Sequence, residues 1–302
     1  MKGNLFSPGK LLLTSEYFVL EGALALAVPT KLGQEFFFDE KPDGNSEIIW
    51  EAYHENVLWL TARISYKNWQ ILDTNNADAA AFVVKVLKNV QEMSSTKLKS
   101  DISYFLKTNL QFPSSYGLGS SSTLMNNLAQ WAAIDPFELN EKSLGGSGYD
   151  IAVAKEKSAV LFQRKDHLKI CEKVHYKPEF SDELIFIHLN QKQDSREGIS
   201  LYRKQPKSAE LIHVFTEITE KVLKTKNIKD YEQLMVQHEK LVSDFIGLPT
   251  VKSQHFPDCP AFVKSLGAWG GDFVISAKFE GYRDYFREKG FPAVFNWNSL
   301  LY

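Results

Sequence analysis

The chain has 302 residues, of which 44% are hydrophobic, and its formal net charge is −2. This length is sufficient for two domains of ordinary size, each with its own core. A nearly balanced charge argues against a nucleic-acid partner, which would require a broad basic surface. No apolar run approaches the roughly 20 residues that span a bilayer, and the first ten residues lack the apolar core of a signal peptide. We therefore expect a cytoplasmic protein with no membrane partner.

The two cysteines, Cys171 and Cys259, lie far apart and show no CxxC spacing. This argues against both a disulfide scaffold and a zinc site. The pattern predicts two free thiols in the core.

The first half of the chain predicts strands around residues 11–13 and 35–38, followed by a turn at residues 42–45 and an aromatic-rich β-hairpin region. The aromatic residues of that region are interpreted as core rather than as a platform for an adenine base; they are Trp50, Tyr53, Trp59 and Trp69. A helix follows, because apolar residues recur at helical spacing at Phe82, Val83, Val86, Leu87 and Val90.

A second helix is predicted from Leu124, Leu128 and Trp131, and a third begins after Asp135, the expected N-cap before Pro136. A strand at residues 159–163 is expected to close the first domain, and the polar stretch 164–169 is interpreted as the domain boundary.

The second half alternates strands and helices in a way that fits an α+β sandwich. Strands are predicted at residues 184–189, 273–277 and 293–296, and a short helix at 282–288. Two longer helices are predicted from apolar periodicity over residues 211–222 and 231–245. His238 lies on the apolar face of the second of these helices and is interpreted as a core histidine.

Three glycine-bearing segments stand out: SPGKLLLTSEY (residues 7–17), PSSYGLGSSST (113–123) and KSLGAWGGDF (264–273). In the middle segment, glycines and serines open a predicted helix, whose free N–H groups would bind an anion such as phosphate. The spacing excludes a Walker A loop and the dinucleotide fingerprint, and the protein-kinase signatures His-Arg-Asp and Asp-Phe-Gly do not occur.

Four motifs together resemble the GHMP superfamily of small-molecule kinases, named for galactokinase, homoserine kinase, mevalonate kinase and phosphomevalonate kinase. They are SPGK (7–10), GLGSS (117–121), GSGYD (146–150) and GAWGG (267–271), in the family's order. Residues 145–152, GGSGYDIA, resemble a bacterial subgroup of mevalonate-type kinases. The resemblance implies a two-domain α/β (α+β) fold, with an N-terminal ATP-binding domain at 1–165 and a ferredoxin-like C-terminal domain at 166–302. It also implies an active site in the cleft between these domains.

The resemblance further implies an ATP site and a Mg²⁺ site. The residues implied in binding the ATP phosphates are Gly117, Leu118, Gly119, Ser120, Ser121 and Ser122, and Ser121 would also ligate Mg²⁺. Relatives supply a glutamate to the metal from the helix before the GSGxD turn, but this chain has Leu139 at that position. Glu138 or Glu141 could replace it, and the metal could be held largely by Ser121 and the nucleotide.

By the same resemblance, Asp150 is the catalytic aspartate that accepts the proton of the acceptor hydroxyl, and Lys10 is the catalytic lysine beside it. A neighbouring cation would keep Asp150 ionised and stabilise negative charge on the attacking oxygen.

Acceptor-binding residues are implied in three segments: Glu16, Tyr17, Ser195, Arg196, Gly267, Ala268, Gly270 and Gly271. Arginine suits the bidentate recognition of carboxylate or phosphate. Two departures from the family pattern bear on this pocket. Ser15 replaces a usual glycine, so the local backbone could differ, and Trp269 replaces another, so its side chain could narrow the pocket or shield it from water. Asp272 resembles the Gly-Gly-Asp ending of phosphomevalonate kinases.

The resemblance predicts an ATP-dependent kinase that phosphorylates the hydroxyl of a small anionic acceptor, with mevalonate as the first candidate. Phosphomevalonate is the alternative acceptor, and a catalytically silent binding protein with the same fold is the alternative of another class. Diphosphomevalonate decarboxylase fits less well, because that enzyme generally lacks the lysine found here as Lys10. Galactokinase also fits less well, because its sugar-recognition signature is not found near the N-terminus. The oligomeric state stays open.

Overall fold

A computed structural model describes residues 1–165, 168–190, 195–267 and 269–302, without the side chains of residues 195–199. The chain forms two compact units. The first unit consists of Met1–Gly9, Leu32–Ser114 and Gly119–Lys157, and the second unit of Lys10–Lys31, Ser115–Leu118 and Ser158–Tyr302. The mixed α/β class predicted from the sequence is confirmed.

The first unit contains a sheet with helices packed on it. Its strands are β1 (Lys2–Leu12), β2 (Ala25–Lys41), β3 (Glu47–His54), β4 (Val57–Ser65), β5 (Gln70–Thr74) and β6 (Ser103–Leu110), of which β1 and β2 continue into the second unit. The strand order is β5-β4-β3-β6-β2, and only the pairing of β3 with β6 is parallel among these neighbours. The helices are α1 (Ala77–Met93), α2 (Ser120–Ala132), α3 (Pro136–Ser143) and α4 (Tyr149–Glu156).

The predicted Asp135 cap and the predicted apolar face of α1 are confirmed. Asp135 accepts from two N–H groups at the start of α3, and α1 begins after Asn76, whose side chain accepts from the Ala79 N–H. Periodic apolar residues of α1 are buried in one cluster with those of the strands, including Ile48, Trp50, Leu60, Val83 and Leu87. Burial of this face therefore fixes α1 on the sheet.

The second unit contains two sets of strands. The hairpin of β7 (Ala159–Lys165) and β8 (Leu168–Val174) pairs with residues 25–27 of β2. A separate antiparallel sheet has the order β10-β11-β9-β12, formed by β9 (Leu184–His188), β10 (Val263–Leu266), β11 (Phe273–Ala277) and β12 (Val294–Asn296). The helices are α5 (Ser195–Lys204), α6 (Ala209–Lys224), α7 (Ile228–Ile246), α8 (Val251–His255), α9 (Tyr282–Glu288) and α10 (Trp297–Leu300).

One sequence interpretation differs from the structure and another stays a prediction. In the polar stretch 164–169, interpreted as a domain boundary, Arg164 of β7 pairs with Lys169 of β8. β8 is the last strand of its sheet and is largely exposed. Cys171 on β8 is therefore exposed rather than in the core, whereas Cys259 is buried as expected.

The compact units do not coincide with the division at residue 165, and that division stays a prediction about the domains of the fold. None of the described helices combines the length and apolar character that crossing a membrane would require.

Candidate active site

In the first unit, the middle glycine segment leads into α2 as predicted. Gly119 precedes the helix with φ 86°, in the left-handed region that glycine adopts at little cost. Ser120 and Ser121 form the first turn and are accessible, with Ser121 exposed. Ser122 is buried, and its hydroxyl donates to the Gly119 carbonyl at 2.8 Å. The first turn of α2 thus presents two accessible serines beside free backbone N–H groups.

A buried network of neutral side chains holds α2 in place. The Ser7 hydroxyl donates to Asn127 Oδ1 at 2.8 Å and accepts from Asn126 Nδ2 at 2.8 Å. Asn126 Nδ2 also donates to the Ala154 carbonyl of α4 at 3.1 Å, and Asn127 Nδ2 donates to the Gln34 carbonyl of β2 at 2.9 Å. We call Ser7, Asn126 and Asn127 the amide network. It fixes the helix that follows the glycine loop against both α4 and β2.

A cavity of about 270 Å³ adjoins Ser120 and Ser121 within the first unit. Its walls are mainly aromatic and aliphatic; besides the two serines they comprise Gln34, Trp50, Ala52, Tyr53, His54, Trp59, Leu60, Ala79, Phe82, Val83, Thr108, Leu110 and Leu124. Trp59 is 37% exposed and stacks on His54, with ring centroids 4.8 Å apart. The interpretation of all the hairpin aromatic residues as core is therefore wrong for Trp59, which lies where the register of β3 and β4 shifts and lines the cavity instead of being fully packed.

Asp150 lies in the first turn of α4, two residues after Gly148, which forms the N-cap with φ 96°. The carboxylate is half-buried, and its Oδ1 accepts from the Ile151 N–H at 3.0 Å. A carboxylate at this end of a helix is favoured by the positive end of the helix dipole. The sequence motif thus leads to a helix start with a fixed acidic side chain.

In the second unit, Lys10 and the middle glycine segment are in direct contact. Lys10 Nζ donates to the Gly117 carbonyl at 2.9 Å, and its backbone N–H donates to the Leu118 carbonyl at 2.9 Å. Asp272 lies against the same glycine, because a Cβ at Gly117 would come within 2.1 Å of Asp272 Cγ. Gly117 is therefore required both by its φ of 65° and by this close approach.

The first and last glycine-bearing segments also meet in the second unit, through Glu16 and Tyr17. Glu16 is 3% exposed, and its Oε1 lies 2.5 Å from Lys264 Nζ. The Tyr17 hydroxyl accepts from the Trp269 N–H at 2.8 Å. Burial raises the pKa of Glu16, and this is opposed by the attraction of Lys264. The predicted acceptor-binding role of Glu16 and Tyr17 stays a prediction, and both side chains contact the C-terminal glycine segment.

Both departures from the family pattern have a visible place in the structure. Ser15 adopts φ 65°, a glycine-like conformation, and its hydroxyl donates to the Leu24 carbonyl at 2.7 Å. Trp269 is 5% exposed and packs in a cluster with Tyr17, Phe18 and Tyr202. Serine therefore adopts a glycine-type turn here, and the indole is part of a hydrophobic core.

His238 is buried as expected, and its Nε2 accepts from the Ser15 N–H at 2.7 Å. The same nitrogen lies 3.2 Å from Glu16 Oε2. Glu239, its neighbour on α7, accepts from the Ser265 N–H at 3.0 Å and from the Val251 N–H at 3.2 Å. Burial raises the pKa of Glu239 to about 7. Sequence reasoning did not identify Glu239 or Lys264 as parts of this site, because α7 and β10 are separated along the chain.

The remaining predicted site residues are not all described. Ala268 lies outside the described residues. Ser195 and Arg196 begin α5, but their side chains are not described. Leu139, at the position where relatives have a glutamate, is a fully buried apolar residue, whereas Glu138 is exposed on α3. Within the described ranges, no group of three histidine, cysteine, aspartate or glutamate side chains could hold a metal. A Mg²⁺ ion bound chiefly by nucleotide phosphates, with Ser121 as a hydroxyl ligand, fits these residues.

No protein-family model matches the sequence, and no curated protein matches it. Solved structures do. Over 98% of both chains, the structure is similar to Methanococcus jannaschii mevalonate kinase, with a TM-score of 0.69 at 17% identity. It is also similar to Streptococcus pneumoniae phosphomevalonate kinase in complex with phosphomevalonate and AMPPNP, with a TM-score of 0.71 at 15% identity over 97% of this chain and 99% of that one.

Lactococcus lactis galactokinase complexed with galactose matches with a TM-score of 0.66 at 12% identity, over 98% of this chain and 92% of that one. Such low identities establish the fold alone. The chain has the two-domain α/β fold of the GHMP-superfamily kinases.

Proposed function

We propose that the protein is an ATP-dependent kinase that phosphorylates the hydroxyl of a small anionic acceptor, with mevalonate as the acceptor. The observation that carries the proposal is the aromatic cavity directly beside Ser120 and Ser121 at the start of α2. It joins a site for a flat base to a site for phosphates, which is what a nucleotide requires.

The nucleotide site is proposed in two parts. Ligand pockets for drug-sized molecules span about 300–1,000 Å³, so the cavity of about 270 Å³ suits a smaller group such as a purine base. Tyr53, Trp59 and Phe82 provide aromatic surface for it. The phosphates would follow the segment from Gly117 to Ser122. Mg²⁺ bound with the nucleotide would offset phosphate charge.

The chemical roles are proposed residue by residue. Asp150 would accept the proton of the acceptor hydroxyl, whose oxygen then bonds to the γ-phosphorus while the bond to the departing ADP oxygen breaks. Lys10 would stabilise the negative charge that develops in this step. Arg196, with Ser195 and the glycines at 267, 270 and 271, would bind the anionic acceptor.

A coupled assay of ADP release with mevalonate, phosphomevalonate, homoserine and sugars tests the proposal. We expect turnover with mevalonate, and an about 10²–10⁴-fold loss of kcat in Asp150→Asn with little change in ATP affinity. Near-normal turnover in folded Asp150→Asn would remove this residue from the mechanism. A neutral sugar as the best acceptor would contradict an anionic pocket.

Two variants test the nucleotide site by calorimetry. Trp59→Ala should weaken ATP binding by about 1–2 kcal/mol if the indole contacts the base. Gly119→Val should prevent binding, because a β-branched residue resists the positive φ that precedes α2. Unchanged ATP affinity in both folded variants would contradict the site.

Two alternatives have their own support. Phosphomevalonate as the acceptor is favoured by the Gly271-Asp272 ending, and the assay panel decides between it and mevalonate. A catalytically silent binding protein is favoured by Leu139, which is fully buried where a metal-binding glutamate is expected. ATP binding without turnover on any acceptor would support that alternative.

A further inference from the structure

The free edge of β10 is covered by side chains instead of by another strand. β10 is the end strand of its sheet, and its glycine segment continues to Asp272. Two backbone N–H groups, one on β10 and one in the segment that follows it, have side-chain acceptors: the Ser265 N–H donates to Glu239 at 3.0 Å, and the Trp269 N–H donates to the Tyr17 hydroxyl at 2.8 Å. Glu16, the neighbour of Tyr17, contacts β10 through Lys264, whose Nζ lies 2.5 Å from Glu16 Oε1.

Buried charge strengthens this arrangement. Glu16, Glu239 and Lys264 are each at most 3% exposed, and Lys264 Nζ contacts both Glu16 and the Ser265 carbonyl. Separating these groups inside the unit would be strongly destabilising, because it would leave an unpaired buried charge. We call Glu16, Glu239, Lys264 and His238 the charged network. It ties the N-terminal segment and α7 to β10.

The end of this glycine segment in turn contacts the middle glycine segment and, through it, a residue with a proposed catalytic role. Asp272 packs against Gly117, and the Gly117 carbonyl accepts from Lys10 Nζ. Glu16 and Tyr17 thus contact Lys264 and Trp269 at one part of this segment, and Asp272 at its other end leads through Gly117 to Lys10, all within the second unit.

We propose that Glu16 and Tyr17 are positioning residues, which hold the segment 264–273 so that Asp272, Gly117 and Lys10 are correctly placed, and that they do not bind the acceptor themselves. This rests on the proposed kinase function. It differs from the role implied by family resemblance, because Glu16 Oε1 is already paired with Lys264 and the Tyr17 hydroxyl already accepts from the Trp269 N–H.

Kinetics of two charge-removing variants separate the two roles. Glu16→Gln and Glu239→Gln each remove one carboxylate from the β10 edge, but Glu239 has no proposed contact with the acceptor. Positioning predicts the same signature in both: kcat falls about tenfold or more while KM for mevalonate changes little. If Glu16 binds the acceptor, only Glu16→Gln raises that KM, and this result would overturn the proposal.

Tyr17→Phe provides a milder variant, with Tyr202→Phe as its matched control. Both rings belong to one cluster and stack on each other with centroids 5.7 Å apart, but the buried Tyr202 hydroxyl has no hydrogen-bond partner among the described residues. We expect Tyr17→Phe to lower kcat and Tyr202→Phe to leave it unchanged. Equal kinetics in the two variants would count against a role for the Tyr17 hydroxyl.

Amide hydrogen exchange gives a readout that needs no turnover and so separates this proposal from the kinase proposal. Positioning predicts that Tyr17→Phe accelerates exchange of the Lys10 N–H, which is bonded to the Leu118 carbonyl, by about tenfold. Tyr202→Phe should not. If wild-type protein turns over no acceptor, the kinase proposal fails, but hydrogen exchange still tests whether Tyr17 positions Lys10. Faster exchange confined to residues 265–269 would show that the loss of the Tyr17 hydroxyl does not affect Lys10, and this would overturn the proposal.

Discussion

The two units hold their functional segments by different physical means. In the first unit, the amide network of Ser7, Asn126 and Asn127 anchors α2 with neutral hydrogen bonds. In the second, the charged network anchors β10 with two carboxylates, one ammonium group and one imidazole, all buried. Neutral groups have a lower desolvation cost and do not titrate, whereas buried ions stabilise only while their charges stay matched. The anchoring of α2 should therefore be insensitive to pH, and that of β10 should depend on it.

Removing the only cation of the charged network within the described residues should have the largest effect. Lys264→Met leaves Glu16 and Glu239 buried without their counter-ion, so above pH 7, where Glu239 is ionised, we expect the free energy of unfolding to fall by about 3–5 kcal/mol. Urea denaturation measures this change. A loss below about 1 kcal/mol would mean that the carboxylates are neutral in the native protein.

The pH dependence of stability should be next in size. Burial raises the pKa of Glu239 from 4.5 to about 7, so between these values the folded carboxyl keeps its proton while the unfolded one is ionised. The folded state then binds more protons, and its stability falls as pH rises through this window, by about 3 kcal/mol from Glu239 in total.

Glutamine at position 239 does not titrate, so Glu239→Gln should lack the part of the pH dependence of stability that comes from Glu239. Glu16, whose pKa is also raised, should leave a residual slope of the same sign. Denaturation curves below pH 4.5 and above pH 7 for both proteins test this. Identical slopes in wild type and variant would contradict it.

Breaking the amide network should cost less and show no such pH dependence. Asn126→Ala removes donors to Ser7 and to the Ala154 carbonyl, leaving buried acceptors unsatisfied, so we expect a loss of about 1–3 kcal/mol. Thermal melts across the same pH window measure it. A strongly pH-dependent loss would remove the distinction between the two networks.

The smallest effect should come from an exposed pair of the same chemistry as Lys264 and Glu16. Lys240 lies 2.8 Å from Asp244, but both side chains are more than half exposed. Lys240→Met should change the free energy of unfolding by no more than about 0.5 kcal/mol. If Lys240→Met and Lys264→Met lowered the free energy of unfolding by similar amounts, burial would not be the reason why the pair of Lys264 and Glu16 stabilises the protein.

Local patterns in the sequence predicted what depends on neighbours along the chain. The apolar face of α1, the Asp135 cap and the glycine that precedes α2 all follow from spacings of a few residues. The networks do not, because Ser7 lies 120 residues from Asn127 and Glu16 lies 248 residues from Lys264. β8 was missed because an exposed end strand needs no alternating apolar pattern.

The contact between Gly117 and Asp272 also constrains how this sequence can diverge. A side chain at position 117 would meet the Asp272 carboxylate, so the two positions cannot drift independently. A descendant with alanine at 117 would need a smaller side chain at 272, and would still bear the cost of a positive φ. The two positions should therefore be inherited as a pair, and among descendants of this chain substitutions at one should be accompanied by substitutions at the other.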